Sequence, residues 1–227
     1  MRIKFLVFSY LIFIVCGHAQ TLSHVTISRG SNLSSFSFLT NQNVIINVSP
    51  EGKILEWGME MAPGRLGYHP GKLEPYMARV TYYGNESDSA FRDKVKSIGT
   101  CNLTYYNSVE NESSVGKVKM IGSVLLDYFP LYENEMLKGR LRSAGHQQIN
   151  FYTSFDNESY KGKLKTVGTT ELVYYSSFDD KLISGKIKSI GSSNYTWYSS
   201  VDRREYRGGL KSGSQSSKIN GVTYNVW

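Results

Sequence analysis

The sequence predicts an all-β protein, an antiparallel meander of repeated β-hairpins that forms an extended, twisted or rolled repeat sheet. Three observations predict this fold class. A 23-residue period runs through most of the chain, alternation of apolar and polar residues occurs within each period, and glycine or acidic and amide residues separate the alternating segments. A period of two suits a pleated strand, and a fixed repeat of this length suits one hairpin per unit.

The first nineteen residues have the layout of a secretory signal peptide. Arg2 and Lys4 precede an apolar run over residues 5–15, and the small residue Ala19 follows. The apolar run is about half of the ~20 residues that a membrane-spanning helix needs, so cleavage after Ala19 is preferred over a membrane anchor. Lipid attachment at Cys16 is the second interpretation.

The predicted mature chain, residues 20–227, is exported and moderately basic. Removing Arg2 and Lys4 lowers the formal net charge from +7 to +5. Cys101 is then the only cysteine, which excludes an intramolecular disulfide and predicts a small buried hydrophobe. The expected location is periplasmic, cell-surface or extracellular, with no transmembrane span after signal cleavage.

Residues 20–70 do not follow the repeat and are predicted to form an N-terminal β-cap. Four segments have the composition of short strands, and residues 50–53 suit a hairpin turn. The terminal units of an array are commonly atypical because they cover an exposed edge. The predicted strands are residues 25–28, 35–39, 44–48 and 54–59.

Residues 71–227 are predicted to be the array of 23-residue β-hairpin repeats, ending in a degenerate C-terminal unit from residue 208. Two columns of glycines and one column of aromatic pairs keep the 23-residue step. Glycine in the first column supplies the backbone freedom that a tight hairpin turn needs. The columns are Gly99, Gly122, Gly145, Gly168 and Gly191; Gly116, Gly139, Gly162, Gly185 and Gly208; and the pairs that begin at Tyr82, Tyr105, Tyr128, Phe151, Tyr174 and Trp197.

Within one unit, the first strand is predicted over residues 160–167 and the second over residues 172–178, with a turn at Gly168. Alternation then sorts the unit into an apolar, aromatic face and a basic, aromatic face. The apolar face takes Tyr160, Gly162, Leu164, Leu172, Tyr174, Ser176 and Phe178, and the basic face takes Lys161, Lys163, Lys165, Val173, Tyr175 and Ser177. An apolar face repeated over several units must be covered by rolling of the sheet, by a second layer or by another subunit. The sequence does not choose among these three ways of covering the apolar face.

The basic face motivates a binding hypothesis, because repetition turns its lysines and tyrosines into rows. Such rows suit a long anionic polymer, whose charges would meet lysine while its sugar rings stack on tyrosine. The competing interpretation is that lysine keeps an exposed sheet face soluble. The candidate partners are an anionic glycan or a lipid headgroup, and export argues against nucleic acid. The polymer-binding candidates are Lys163, Lys165, Tyr175, Lys186, Lys188 and Tyr198.

The sequence predicts no catalytic residues, no cofactor and no metal site. The histidines of the predicted mature chain lack the spacing of metal ligands, and the acidic residues recur as turn residues. A row of acidic turns offers oxygen ligands for calcium, but turns about 10 Å apart do not easily share one ion. A polysaccharide-active enzyme that uses tyrosine and lysine ranks third among the functional hypotheses.

The repeat resembles two known kinds of short repeat. The Tyr-x-Gly at residues 160–162 and 206–208 is similar to the opening of MORN-type repeats, although Leu164 stands where that family prefers tryptophan. The tyrosine pair at residues 174–175 and the following Gly185 are distantly similar to the cell-wall-binding repeats of secreted bacterial proteins. The resemblance covers residues 71–227. It implies a binding or scaffolding role. MORN-type repeats imply proteins and lipid headgroups as partners, and cell-wall-binding repeats imply wall glycans.

The sequence therefore predicts an exported, non-enzymatic β-repeat scaffold or binding protein that works at the cell envelope or outside the cell. Its predicted ligand is an anionic surface polymer bound through the lysine and tyrosine face. The alternative is a structural role, in which the aromatic face mediates self-association or binds a protein partner.

Overall fold

The computed structural model describes residues 20–85 and 87–227. The predicted signal peptide, with Cys16, lies outside the described residues. The described chain forms twenty β-strands and no helix, and therefore contains no helix suited to crossing a membrane. The all-β class and the antiparallel meander are confirmed.

The strands fall into three sheets. A seven-stranded sheet has the order β19-β20-β1-β2-β3-β4-β5, an eleven-stranded sheet runs in chain order from β6 to β16, and β17 pairs with β18. The strands are β1 (Thr21–Ser28), β2 (Asn32–Leu39), β3 (Val44–Val48), β4 (Ile54–Glu60), β5 (Leu73–Pro75), β6 (Val80–Tyr82), β7 (Val95–Ile98), β8 (Cys101–Tyr105), β9 (Val118–Ile121), β10 (Val124–Tyr128), β11 (Leu141–Ala144), β12 (Gln147–Phe151), β13 (Leu164–Val167), β14 (Thr170–Tyr174), β15 (Ile187–Ile190), β16 (Ser193–Asn194), β17 (Thr196–Trp197), β18 (Leu210–Ser212), β19 (Ser216–Ile219) and β20 (Val222–Val226).

Each repeat unit is a short hairpin followed by a long loop. Gly168 and Thr169 join β13 to β14, and Gly168 has a φ of 56°, in the left-handed region that glycine adopts most readily. The predicted turn is therefore present. The strands are shorter than predicted, since β13 begins at Leu164 instead of residue 160 and β14 ends at Tyr174 instead of residue 178.

The loop has its own hydrogen bonds, which is why the ladder ends early. The Asp179 carboxylate accepts hydrogen bonds from the backbone N–H (2.7 Å) and the hydroxyl (2.8 Å) of Ser176. The Gly185 N–H donates to the Tyr175 carbonyl at 2.8 Å and closes the loop. The predicted position of Phe178 on the apolar sheet face is wrong, because this side chain lies in the loop and is 94 % exposed.

The apolar face of the array is covered by a second layer of the same chain. Buried residues of the seven-stranded sheet and of the array belong to one hydrophobic core. Backbone hydrogen bonds also join the two layers. The carbonyls of Gly30, Gly52 and Pro50 accept from the N–H groups of Ile187 (2.7 Å), Val118 (3.0 Å) and Leu141 (2.7 Å).

The segment predicted as an N-terminal β-cap contains strands at all four expected positions, but it lies across the array instead of at its end. The C-terminal residues also leave the array. β20 pairs in parallel with β1, with Ile27 opposite Val226, so both ends of the described chain build the covering sheet. A two-layer arrangement removes more apolar surface from water than an end cap does, which is the physical reason for the difference.

The core contains aromatic side chains whose polar atoms are satisfied inside it. The buried Tyr174 hydroxyl donates to the Leu164 carbonyl at 2.9 Å, and the Trp197 indole N–H donates to the Ile187 carbonyl at 2.7 Å. Cys101 is also buried, as its sequence context predicts, and burial raises the pKa of its thiol to about 11. This cysteine therefore packs as a hydrophobe.

Candidate functional site

The outer face of the array carries a regular row of cations. Five of these residues are the second residue of the first strand of a hairpin, between a buried residue that faces the core and a partly exposed one, and Lys211 is the second residue of β18, after the half-buried Leu210. Because alternate side chains of a strand point to opposite faces, the cations all point away from the covering sheet. This outer cation row consists of Lys96, Lys119, Arg142, Lys165, Lys188 and Lys211.

Five of the six cations lie over an aromatic ring of the preceding unit. The Lys188 ammonium is 5.6 Å from the centroid of Tyr175, and the Lys165 ammonium is 5.2 Å from that of Tyr152. The Tyr175 hydroxyl donates to the Tyr195 carbonyl at 3.1 Å, which fixes the ring. The rings therefore support the cations, and the surface presents ammonium groups instead of the bare tyrosine faces that the sequence suggested.

Acidic residues of loops and of one strand neutralise part of the row. Lys165 and Lys188 form no ion pair with any described carboxylate. The acids aligned with them are occupied locally, and the backbone hydrogen bond from Thr153 lowers the pKa of Asp156. The paired members of the row are Lys119 with Glu110 at 2.5 Å, Lys211 with Asp202 at 3.1 Å and Arg142 with Asp127 at 3.4 Å.

The other predicted lysines lie on a different surface. Lys163 donates to the Ser31 hydroxyl at 2.7 Å, and Lys186 donates to the Arg29 carbonyl at 3.0 Å, both in the turn between β1 and β2. Burial lowers the pKa of both lysines, and the charge of Lys186 lowers that of Lys163 further. Their ammonium groups connect the two layers of the protein.

The structure thus divides the six predicted polymer-binding residues into two groups. It brings Lys165, Tyr175, Lys188 and Tyr198 together on the outer face and directs Lys163 and Lys186 to the covering sheet. Alternation predicts the direction of a side chain only within a strand, and Lys163 and Lys186 each precede one. This is why the sequence placed all four lysines on one face.

The geometry gives no support for a metal site built on histidine or for a tyrosine that acts as a catalytic base. Within residues 20–85 and 87–227, no group of three or more His, Cys, Asp and Glu side chains is arranged to hold a metal ion. Burial raises the pKa of both Tyr106 and Tyr152 to about 12, whereas a tyrosine that acts as a base needs a lower pKa.

A second surface feature was missed from the sequence. One large apolar side chain lies in each of five successive loops, directly before an acidic residue. These side chains are between 87 % and 94 % exposed. Their 23-residue spacing was the available signal, but strand alternation had assigned Phe178 to the core. This apolar tip row consists of Val109, Tyr132, Phe155, Phe178 and Val201.

No family model, no curated protein and no solved structure matches the chain. The resemblance to MORN-type and cell-wall-binding repeats gains no support from these comparisons. The functional argument therefore rests on the residues of this chain.

Proposed function

We propose that the protein is an exported, non-enzymatic binding protein that attaches to an anionic surface glycan through its outer cation row. The observation that supports this proposal is the row itself, which presents one cation per unit on the face of the array that points away from the covering sheet. Lys165 and Lys188 at mid-array are the principal binding residues, because neither is engaged by a described carboxylate.

The spacing of the row suits a polymer better than a small anion. Equivalent residues of successive units are separated by two strand spacings, about 10 Å, so six cations extend over roughly 50 Å. A small anion contacts one or two of them, whereas an extended polyanion contacts all six. The net positive charge of the predicted mature chain adds a longer-range attraction.

We expect the double variant Lys165→Ser and Lys188→Ser to bind a polyuronate or a sulfated glycan at least about tenfold more weakly than the parent chain. Binding of the parent should itself weaken by a similar factor between about 50 mM and about 500 mM salt, because salt screens exposed charges. Biolayer interferometry on immobilised glycan measures both effects, with a neutral glucan as the reference surface.

The double variant Lys161→Ser and Lys181→Ser is the matched control. It removes the same charge from loops, where Lys161 pairs with Glu158 at 2.6 Å. Equal losses for the two double variants would show only a net-charge effect and would contradict a specific outer face. Salt-independent binding, or none to any acidic glycan, would also contradict the proposal.

The apolar tip row favours a second candidate function, which is self-association. In four of the five loops the acidic residue has a structural role, since it accepts hydrogen bonds within the loop, as Asp156 does from Thr153. In the loop that contains Glu133 the equivalent donor position is Pro130, which has no N–H. The apolar residue before the acidic residue is almost fully exposed in each loop. In chain order the row is Val109, Tyr132, Phe155, Phe178 and Val201. Two antiparallel copies related by a twofold axis would therefore pair an apolar side chain with an apolar side chain at every position, with the two Phe155 side chains at the centre.

For this candidate we expect a concentration-dependent dimer that the double variant Phe155→Ser and Phe178→Ser abolishes. Leu66→Ser is the control, because Leu66 is fully exposed but lies apart from the row. Analytical ultracentrifugation distinguishes the variants. A parent chain that stays monomeric at about 1 mM, a concentration at which even weak complexes form, would exclude self-association through this row.

A further inference from the structure

A cleft opens between the two layers beside the first repeat unit. Its volume is about 470 Å³, within the range of small-molecule sites. One wall is the β3–β4 turn with Lys53, together with the half-buried Trp57 of β4. The other wall is formed by Asp93, Lys94 and Val95 at the start of β7.

The first unit lacks a backbone hydrogen bond to a turn of the covering sheet that three later units make, through Val118, Leu141 and Ile187. The N–H groups of Val118 and Leu141 donate to carbonyls of the β3–β4 turn, as described above. Val95 pairs with Tyr82 in the same register as Val118 pairs with Tyr105, so its N–H also points out of the ladder. Among the described residues, no turn carbonyl accepts from Val95. A ligand oxygen could take this position.

Asp93 distinguishes the first unit from the others in sequence as well. It occupies the column in which the later units have glycine at φ values between 67° and 76°, and it adopts a φ of 64° itself. A residue other than glycine is strained in this region, and the replacement is not needed to close the loop. What Asp93 adds is an exposed carboxylate at the mouth of the cleft.

Three lysines and two carboxylates line the cleft, so its net charge is positive and favours an anionic group; they are Lys53, Lys94, Lys117, Glu51 and Asp93. The Lys94 ammonium lies 5.1 Å from the centroid of the Tyr105 ring and donates to the Gly116 carbonyl. The second ammonium, of Lys53, is close enough to lower the pKa of Lys94, after the larger effect of burial. A ligand carboxylate would relieve the repulsion between these two cations and accept from the Val95 N–H.

We propose that this cleft binds one carboxylated sugar residue of an acidic glycan. The carboxylate lies between Lys53, Lys94 and the Val95 N–H, the ring packs on Trp57, and Asp93 accepts hydrogen bonds from ring hydroxyls. The ligand class rests on the proposed function, but the residues do not overlap with the outer cation row. The cleft holds a single sugar residue, whereas the outer cation row contacts many sugar residues along a glycan chain.

The test uses the chain from residue 20 and glucuronic acid as the probe, with glucose and acetate as comparisons. Isothermal titration calorimetry should show glucuronate binding at least about tenfold more tightly than either comparison, since glucose lacks the carboxylate and acetate lacks the ring. Asp93→Gly restores the residue of the other units, so its melting temperature should not fall, while glucuronate binding should weaken about tenfold. Trp57→Ala should weaken binding similarly.

Lys165→Ser with Lys188→Ser serves as the reference for the other site and should leave glucuronate binding unchanged. Loss of polymer binding in that variant with glucuronate binding retained supports two separate sites. Acetate binding as tight as glucuronate binding would overturn the sugar assignment. No glucuronate binding by the parent, or full binding by Asp93→Gly, would overturn the cleft as a site, whatever the outer row does.

Discussion

Gly30→Ala should lower the free energy of unfolding by about 2 to 5 kcal/mol. Gly30 has a φ of 63°, where an L-residue costs roughly 1 to 2 kcal/mol more than glycine. A Cβ at this position would also lie 2.0 Å from the Trp197 ring. The ring cannot move away freely, because Trp197 is buried and its indole N–H is bonded to Ile187. Overpacking of this kind adds about 1 to 3 kcal/mol.

Gly208→Ala is the matched control for this prediction. Gly208 has a φ of 76°, but a Cβ there meets nothing within 4 Å. Gly208→Ala should therefore lower the free energy of unfolding only by the roughly 1 to 2 kcal/mol cost of the left-handed backbone conformation. Thermal unfolding measures both variants, and Gly30→Ala should lower the Tm by roughly 10 °C. Equal shifts for the two variants would mean that the contact between the β1–β2 turn and Trp197 does not hold the layers together.

Removal of residues 214–227 should abolish the cooperative thermal transition. This deletion takes away β19 and β20, including Val222, Tyr224 and Val226, which are at most 4 % exposed. Burial of each such side chain contributes about 1.5 to 3 kcal/mol, and each lost ladder hydrogen bond adds about 0.5 to 1.5 kcal/mol. Together these losses approach the ~5 to 15 kcal/mol stability of an ordinary domain.

The deletion also exposes the edge of β1, whose parallel pairing with β20 is not replaced by any neighbouring strand of the described chain. Lys218→Thr, on the exposed side of β19, is the control and should change the Tm by no more than about 2 °C. Differential scanning calorimetry reports both. A truncated chain that still melts cooperatively near the parent Tm would show that the array is stable without its C-terminal strands.

The candidate site was predictable only in part. The outer positions of Lys165 and Lys188 follow from alternation inside a strand, which the sequence shows directly. Lys163 and Lys186 were misplaced because each is the last loop residue before a strand, which begins at Leu164 or Ile187. The loops are held by side-chain and turn hydrogen bonds, such as that from Gly185 to Tyr175, which alternation does not reveal. The cleft could not be predicted, since its walls are about forty residues apart in the chain.

The sequence by itself determined the 23-residue hairpin unit, the glycine turn at Gly168 and the burial of the first aromatic in the five pairs from Tyr105 to Trp197, because these depend on local backbone geometry and on alternation. Only the tertiary structure decided what covers the apolar face. Rolling, layering and assembly all bury that face and differ in long-range contacts, such as Gly30 with Ile187 and β1 with β20. No local pattern encodes those contacts, since each depends on how two distant segments fit together.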